Sequence, residues 1–284
     1  MTPDLPPEPP LSAEPPAPGD PPSVPPPSPE TAGIAEPEPP PPPPAPPPPP
    51  SREPFWGYSD VLLFAGLAVP CMLTGYGVVH GLLALFHIHF AVRAAELLAE
   101  QLAGYALLFL ALRAIFRLQY GRPFWRSLGW TEMHAPFLWL VVAGCAAAVA
   151  VAFSTYFIRV PNTPNPMTEL LHDRASIALL AIFGCTLGPL CEELVFRGFL
   201  QPLLVRSFGA VAGILLAALP FGLLHIPEYG NSWRHGVVIA LAGAAFGWIR
   251  HVTGSTKAAT VMHASYNALF FFVLLSQGKD LPLK

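Results

Sequence analysis

From Ser51 onward the chain is a succession of apolar runs, each close to the roughly 20 residues that an α-helix needs to cross a bilayer. Seven can be read, at 58–80, 95–117, 136–158, 176–205, 210–226, 234–251 and 257–276. Nothing constrains the fold more. Backbone polar groups inside a bilayer must be satisfied within the protein, so an apolar run this long spans as a helix, and strands of a barrel would be far shorter. The expectation is an all-α, polytopic transmembrane helical bundle of about seven spans. Mean hydropathy of +0.47 with 12% charged residues excludes an ordinary soluble domain. No phosphate-binding loop occurs, and no nucleic-acid partner is expected.

The first 50 residues are a different polymer. They hold 26 of the 38 prolines and seven acidic residues, with no Lys or Arg. The arm therefore carries −7, and the rest of the chain +4, from 15 basic against 11 acidic residues. Proline fixes φ and removes backbone donors, which predicts a disordered, semi-extended arm over 1–53 that serves as a spacer or docks a proline-binding partner. It lacks a basic segment followed by an apolar one, so it does not read as a signal peptide. The remainder divides into N-terminal transmembrane helices at 54–160 and a second membrane domain at 161–284. The loop holding Arg113, Arg117, Arg122 and Arg126 is the most basic, which orients it and the N-terminus toward the cytoplasm. Arg206, Arg250 and Lys257 then share that side, while Arg93, Arg159, Arg174 and Arg234 lie outside. The four cysteines fall in apolar stretches at unrelated spacings and read as small buried hydrophobes.

Ionisable groups inside such helices cost at least about 2.5–3.5 kcal/mol each on insertion and point to function. Residues 188–197 read Gly-Pro-Leu-Cys-Glu-Glu-Leu-Val-Phe-Arg. Glu193 and Arg197, four apart, share a face and can pair, whereas Glu192 points about 100° away and is left for chemistry. The next run ends Phe221-Gly-Leu-Leu-His225. If Ser207–Gly209 is a hairpin turn, Glu192 and His225 stand at one depth, about 24 Å from it on each side. A carboxylate and an imidazole meeting there can share a water and take its proton. The last run supplies His263 and Asn267, one turn apart, whose N–H groups can form an oxyanion hole. Each feature alone is weak, because single intramembrane His, Asn or Glu–Arg groups commonly glue helices together.

The ordered set Glu-Glu-x-x-x-Arg, Phe-x-x-x-His and His-x-x-x-Asn resembles that of the CPBP intramembrane proteases. These include the type 2 CAAX prenyl proteases and the lysostaphin-resistance-like proteins. The resemblance covers about 176–276. It implies endopeptidase activity on membrane-associated or CAAX-like substrates with a hydrophobic or lipidated segment. In that reading Glu192 and His225 activate water, His263 and Asn267 stabilise the oxyanion, and Glu193, Arg197 and Phe221 support them. The alternative is a zinc ion held by Glu192, His225 and His263, with Glu193 as general base. The metal-free version is preferred because a base and an oxyanion hole already employ all four polar groups. A non-catalytic scaffold, immunity protein or transporter is the competing class. Composition points to a bacterial inner membrane.

Lesser features carry blander expectations. His87 and His89 read as interfacial, as do His235 and His251. Glu96 and Glu100 are expected to face a wet cavity or the interface. Trp125, Trp130 and Trp139 read as anchors at the membrane surface.

Overall fold

The computed structural model describes residues 53–161, 170 and 173–276. The proline-rich arm and its proposed partner lie outside these residues. Backbone contacts divide the chain at Pro49–Pro50, and all of the described residues belong to the second unit. Among the described residues every regular element is a helix, and there is no strand. In chain order the helices are α1 (Tyr58–Phe86), α2 (Arg93–Tyr120), the short α3 (Phe124–Ser127) and α4 (Phe137–Ile158). There follow α5 (Arg174–Cys185), α6 (Leu187–Glu193), a π-helical segment (Leu194–Leu200) and α7 (Gln201–Phe208). The chain ends with α8 (Ala210–Leu224), a 3-10 turn (Pro227–Tyr229), α9 (Trp233–Thr253) and α10 (Thr256–Ser276).

Six of these stretches are long and apolar enough to span a membrane, with Arg174–Phe208 counted as one. The seventh expected span, α8, is apolar but only 15 residues long. Large side chains such as Leu62, Val69, Leu73 and Phe153 are about 70% exposed on the outer surface, as expected where lipid replaces water. The cysteines are free and half-buried rather than enclosed.

The expected single helix over 176–205 is interrupted twice, and proline explains both places. Pro189 has no N–H for the carbonyl of Cys185, and the α-helix breaks at Thr186 (φ −134°, ψ −86°). Pro202 cannot bond the carbonyl of Gly198, and the chain widens into a π-helix just before it. This widened segment holds Arg197 and follows directly on the glutamate pair.

Two packing units position the site. In the first, Trp56 packs between Phe116 and Phe199 and its indole N–H donates to the Phe199 carbonyl at 3.0 Å. The start of α1, the end of α2 and the π segment are thereby tied together. In the second, α8 lies so close to α9 that a Cβ on Gly222 would stand 2.2 Å from the Gly236 carbonyl. Only glycine permits that approach, which sets the position of His225 at the end of α8. α10 packs on α4, α5, α6 and α9, carrying His263 into the middle of the bundle.

Candidate active site

Glu192 and Glu193 end α6, His225 caps α8, and His263 and Asn267 lie on one face of α10. Three separate elements therefore converge. Glu192 Oε1 is 3.9 Å from His225 Nε2, and its Oε2 is 3.7 Å from His263 Nε2. Both gaps exceed a hydrogen bond and leave room for a water to touch both partners.

The other nitrogen of each ring is already committed. His225 Nδ1 lies 2.7 Å from the Phe221 carbonyl, and His263 Nδ1 lies 2.9 Å from Glu193 Oε1. A carbonyl or carboxylate only accepts, so each Nδ1 carries the proton. In the neutral rings both Nε2 lone pairs therefore face Glu192. The expected division between the two glutamates is visible in their surroundings. Glu193 is fully buried, with Arg197 Nη1 3.1 Å from its Oε1, while Glu192 is about a quarter exposed.

Arg197 is itself buried. Its Nη2 donates to the Gly243 carbonyl at 2.8 Å, and its guanidinium lies 4.4 Å from the ring centroid of Phe221. The approach of Nη1 to Glu193 is an ion pair without hydrogen-bond alignment. Phe221 also contacts both histidine rings, at 4.7 and 5.9 Å between centroids, and Phe246 stacks on His263 at 4.3 Å. Such flat neighbours restrict ring rotation, which keeps both Nε2 atoms aimed inward.

Asn267 stands differently from the expectation. Its Nδ2 donates to the Gly184 carbonyl at 2.6 Å, so one of its two N–H groups is engaged in joining α10 to α5. One N–H remains for a ligand.

Glu192, His225, His263 and Asn267 all line a cavity of about 970 Å³. Its walls are mostly apolar, from α2, α4, α5, α9 and α10. Glu100 reaches it too, in keeping with the wet-cavity reading, while Glu96 sits beside Glu100 on α2. Sequence reasoning missed Glu228 and Tyr229, which line the cavity from the 3-10 turn. Their signal was a carboxylate three residues after His225. Burial is the main influence that holds the Glu228 carboxyl above the ordinary carboxylate range. His225 opposes this and Glu192 adds to it. Glu228 nevertheless presents surface to the cavity, so it is crowded by protein while still reachable by water.

A single zinc ion with bonds of about 2.1 Å cannot hold ligand atoms more than about 4.2 Å apart. Among the described residues one trio brings its ligand atoms within 4.8 Å of one another, and it is His80, Glu96 and Glu100. Glu192, His225 and His263 do not close that far, so they do not fit one ion in this conformation. At the other trio His80 Nε2 bonds Glu100 at 2.9 Å and Arg93 pairs with Glu96 at 2.6 Å, so these groups already engage one another.

All seven expected site residues fall within one stretch of family similarity. Residues 174–269 match the Rce1-like family of type II CAAX prenyl endopeptidases. This bears out the resemblance carried by the three motifs, and the match runs from α5 through most of α10. No curated protein and no solved structure matches the chain. The Rce1-like segment and the six apolar spans together describe an integral membrane protein.

Proposed function

We propose that this chain is an intramembrane endopeptidase that hydrolyses a peptide bond with a water activated by Glu192 and His225. One observation carries the reading. Two imidazoles, each locked at Nδ1, turn their free Nε2 atoms on the same partly exposed carboxylate at the wall of a membrane-embedded cavity. The Rce1-like match supports the same class of reaction.

A water between Glu192 and His225 gives a proton to the carboxylate while its oxygen attacks the scissile carbonyl. That carbonyl becomes an oxyanion. His263 can donate to it from Nε2 only when both ring nitrogens are protonated, since Nδ1–H is held by Glu193. Glu193 Oε1 accepts from that Nδ1–H, and Arg197 Nη1 lies 3.1 Å from the same carboxylate oxygen. The unengaged N–H of Asn267 supplies a second donor. Glu192 then returns its proton to the leaving amine. The apolar cavity suits a substrate with a hydrophobic or lipidated segment next to the cleaved bond. The basic loop between α2 and α4 favours a cytoplasmic side for that end of the bundle and for the N-terminus, as would suit a bacterial inner membrane.

Hydrolysis is tested by cleaving a synthetic transmembrane peptide with the purified protein in water enriched in oxygen-18. The new carboxyl terminus gains one heavy oxygen, read by mass spectrometry, and the Glu192→Gln variant forms product at least about 100-fold more slowly. A product without heavy oxygen, or equal product from the variant, contradicts the proposal.

A further inference from the structure

A second recess of about 660 Å³ lies at the opposite end of the bundle from the active-site cavity mouth. Arg122, Arg126, Arg206, Arg250 and His251 line it. These residues come from four places far apart in sequence: the α2–α3 link, α3, the last turn of α7 and the last turn of α9. Their convergence is a product of the fold. The α2 and α9 helices both end here, as does α7, while α1 begins here, so the recess sits where the bundle leaves the apolar layer. Arg206 stands about 20 Å from Glu192 along the helical path, which separates this recess from the chemistry.

Three of the four arginines are held in place, and none of the four is in an ion pair. Arg206 donates to the Pro54 and Trp56 carbonyls. Arg250 donates from Nε to the Thr256 hydroxyl at 3.0 Å, which leaves its two terminal amino groups free of that bond. Arg122 lies over the Phe55 ring at 5.6 Å. Among the described residues the arginine ion pairs are Arg93–Glu96 and Arg197–Glu193, and none involves this group. Glu53 also lines the recess but pairs with none of the four. Four guanidinium groups gathered around one carboxylate that pairs with none of them repel one another, and a bound anion removes that repulsion. Guanidinium matches phosphate oxygens with pairs of parallel N–H donors, and fixing the side chains beforehand lowers the cost of binding.

We infer that this recess binds the phosphate of an anionic phospholipid head group, clamping the start of α1, the α2–α3 link and the ends of α7 and α9. Its level at the membrane face selects lipid over free phosphate, because head-group phosphates are concentrated there and basic pockets between helices are suited to them. Phe55, Pro202 and Val205 give it an apolar edge for the adjoining glycerol and acyl carbons.

The test titrates phosphatidylglycerol, phosphatidylcholine or inorganic phosphate into the full chain in neutral detergent, with bound lipid counted by native mass spectrometry. Wild type retains one phosphatidylglycerol in preference to phosphatidylcholine. The double variant Arg122→Ala/Arg126→Ala alters two exposed side chains. At about 1 kcal/mol per arginine, it weakens retention about 25-fold. The control Arg93→Ala/Arg234→Ala, at the other end of the bundle, changes it less than about two-fold. Unchanged binding in the first variant overturns the inference, as does equal loss in the control. Displacement of the lipid by inorganic phosphate at matched concentration assigns the recess to a free anion and overturns it too.

Discussion

Replacing Arg197 by Met removes the guanidinium next to Glu193 while keeping much of the side-chain volume. The carboxylate of Glu193 is fully buried, and its remaining contact is the imidazole N–H of His263. Stranding one partner of a buried pair costs about 3–5 kcal/mol. For a chain of this size each kcal/mol shifts the melting temperature about 2–4 °C, so Arg197→Met should melt about 6–20 °C below wild type. The double change Glu193→Gln/Arg197→Met takes the stranded charge away as well. Its Gln carbonyl still accepts from His263 Nδ1–H, so the ring keeps its orientation and most of the loss should be regained. Activity should stay low in the double variant, because the site then lacks both charged groups that stand behind His263. Thermal unfolding in detergent, followed by intrinsic fluorescence, reads the first two quantities. An Arg197→Met protein that melts within about 2 °C of wild type, or a double variant no better than the single, would refute the reasoning.

Three further outcomes follow from particular contacts. A Cβ on Gly243 would stand 2.9 Å from the Phe221 ring and 3.0 Å from Arg197 Nη2. Gly243→Ala should therefore cost about 1–3 kcal/mol by overpacking, visible as a lower melting temperature. Glu228 has a raised carboxyl pKa, so the folded state holds its proton more tightly than the unfolded chain does. Its contribution to stability is whole below the ordinary carboxylate range and is lost as pH rises through the raised value. Melting temperatures of Glu228→Gln and wild type should agree near pH 4, with the variant gaining on wild type as pH rises; a constant difference would contradict this. Asp173 caps α5 by accepting from the Ser176 N–H at 2.7 Å, and hydrogen bonding from the Ser176 side chain first, then from that N–H, holds its carboxyl below the usual range. The cap is present above the usual carboxylate range and lost as pH falls through the depressed value. Asp173→Ala should lower the melting temperature at pH 7, and the difference should vanish in strong acid.

The helical bundle was legible because apolar runs of membrane length leave the backbone little alternative. The meeting of Glu192 with His225 was legible for a related reason, since both lie equally far from the Ser207–Gly209 turn and helical rise converts that count into depth. Pairing of Glu193 with Arg197 followed from four-residue spacing, even though Arg197 proves to lie in a π-helix. That widened segment was hidden, because a lone Pro202 in an apolar run allows either a kink or a wider turn. The engagement of Asn267 with Gly184 was equally out of reach, since an acceptor on another helix leaves no spacing in the sequence. Glu228 was passed over because a polar residue after the end of a span reads as ordinary loop. The arginines of the basic recess were visible as a bias of charge to one side. Their gathering around one pocket depends on how α1, α2, α7 and α9 pack.

The central claim is that Glu192, together with His225 and without a metal, makes the attacking hydroxide equivalent. It is tested most directly by the rate of peptide cleavage in detergent, measured for wild type, Glu192→Gln and His225→Ala, each with and without a strong chelator. Either substitution should lower the rate about 100- to 10,000-fold, as loss of a general base does, and the chelator should leave wild type unchanged. Wild-type activity abolished by the chelator and restored by added zinc, or a Glu192→Gln variant that cleaves at the wild-type rate, would contradict it.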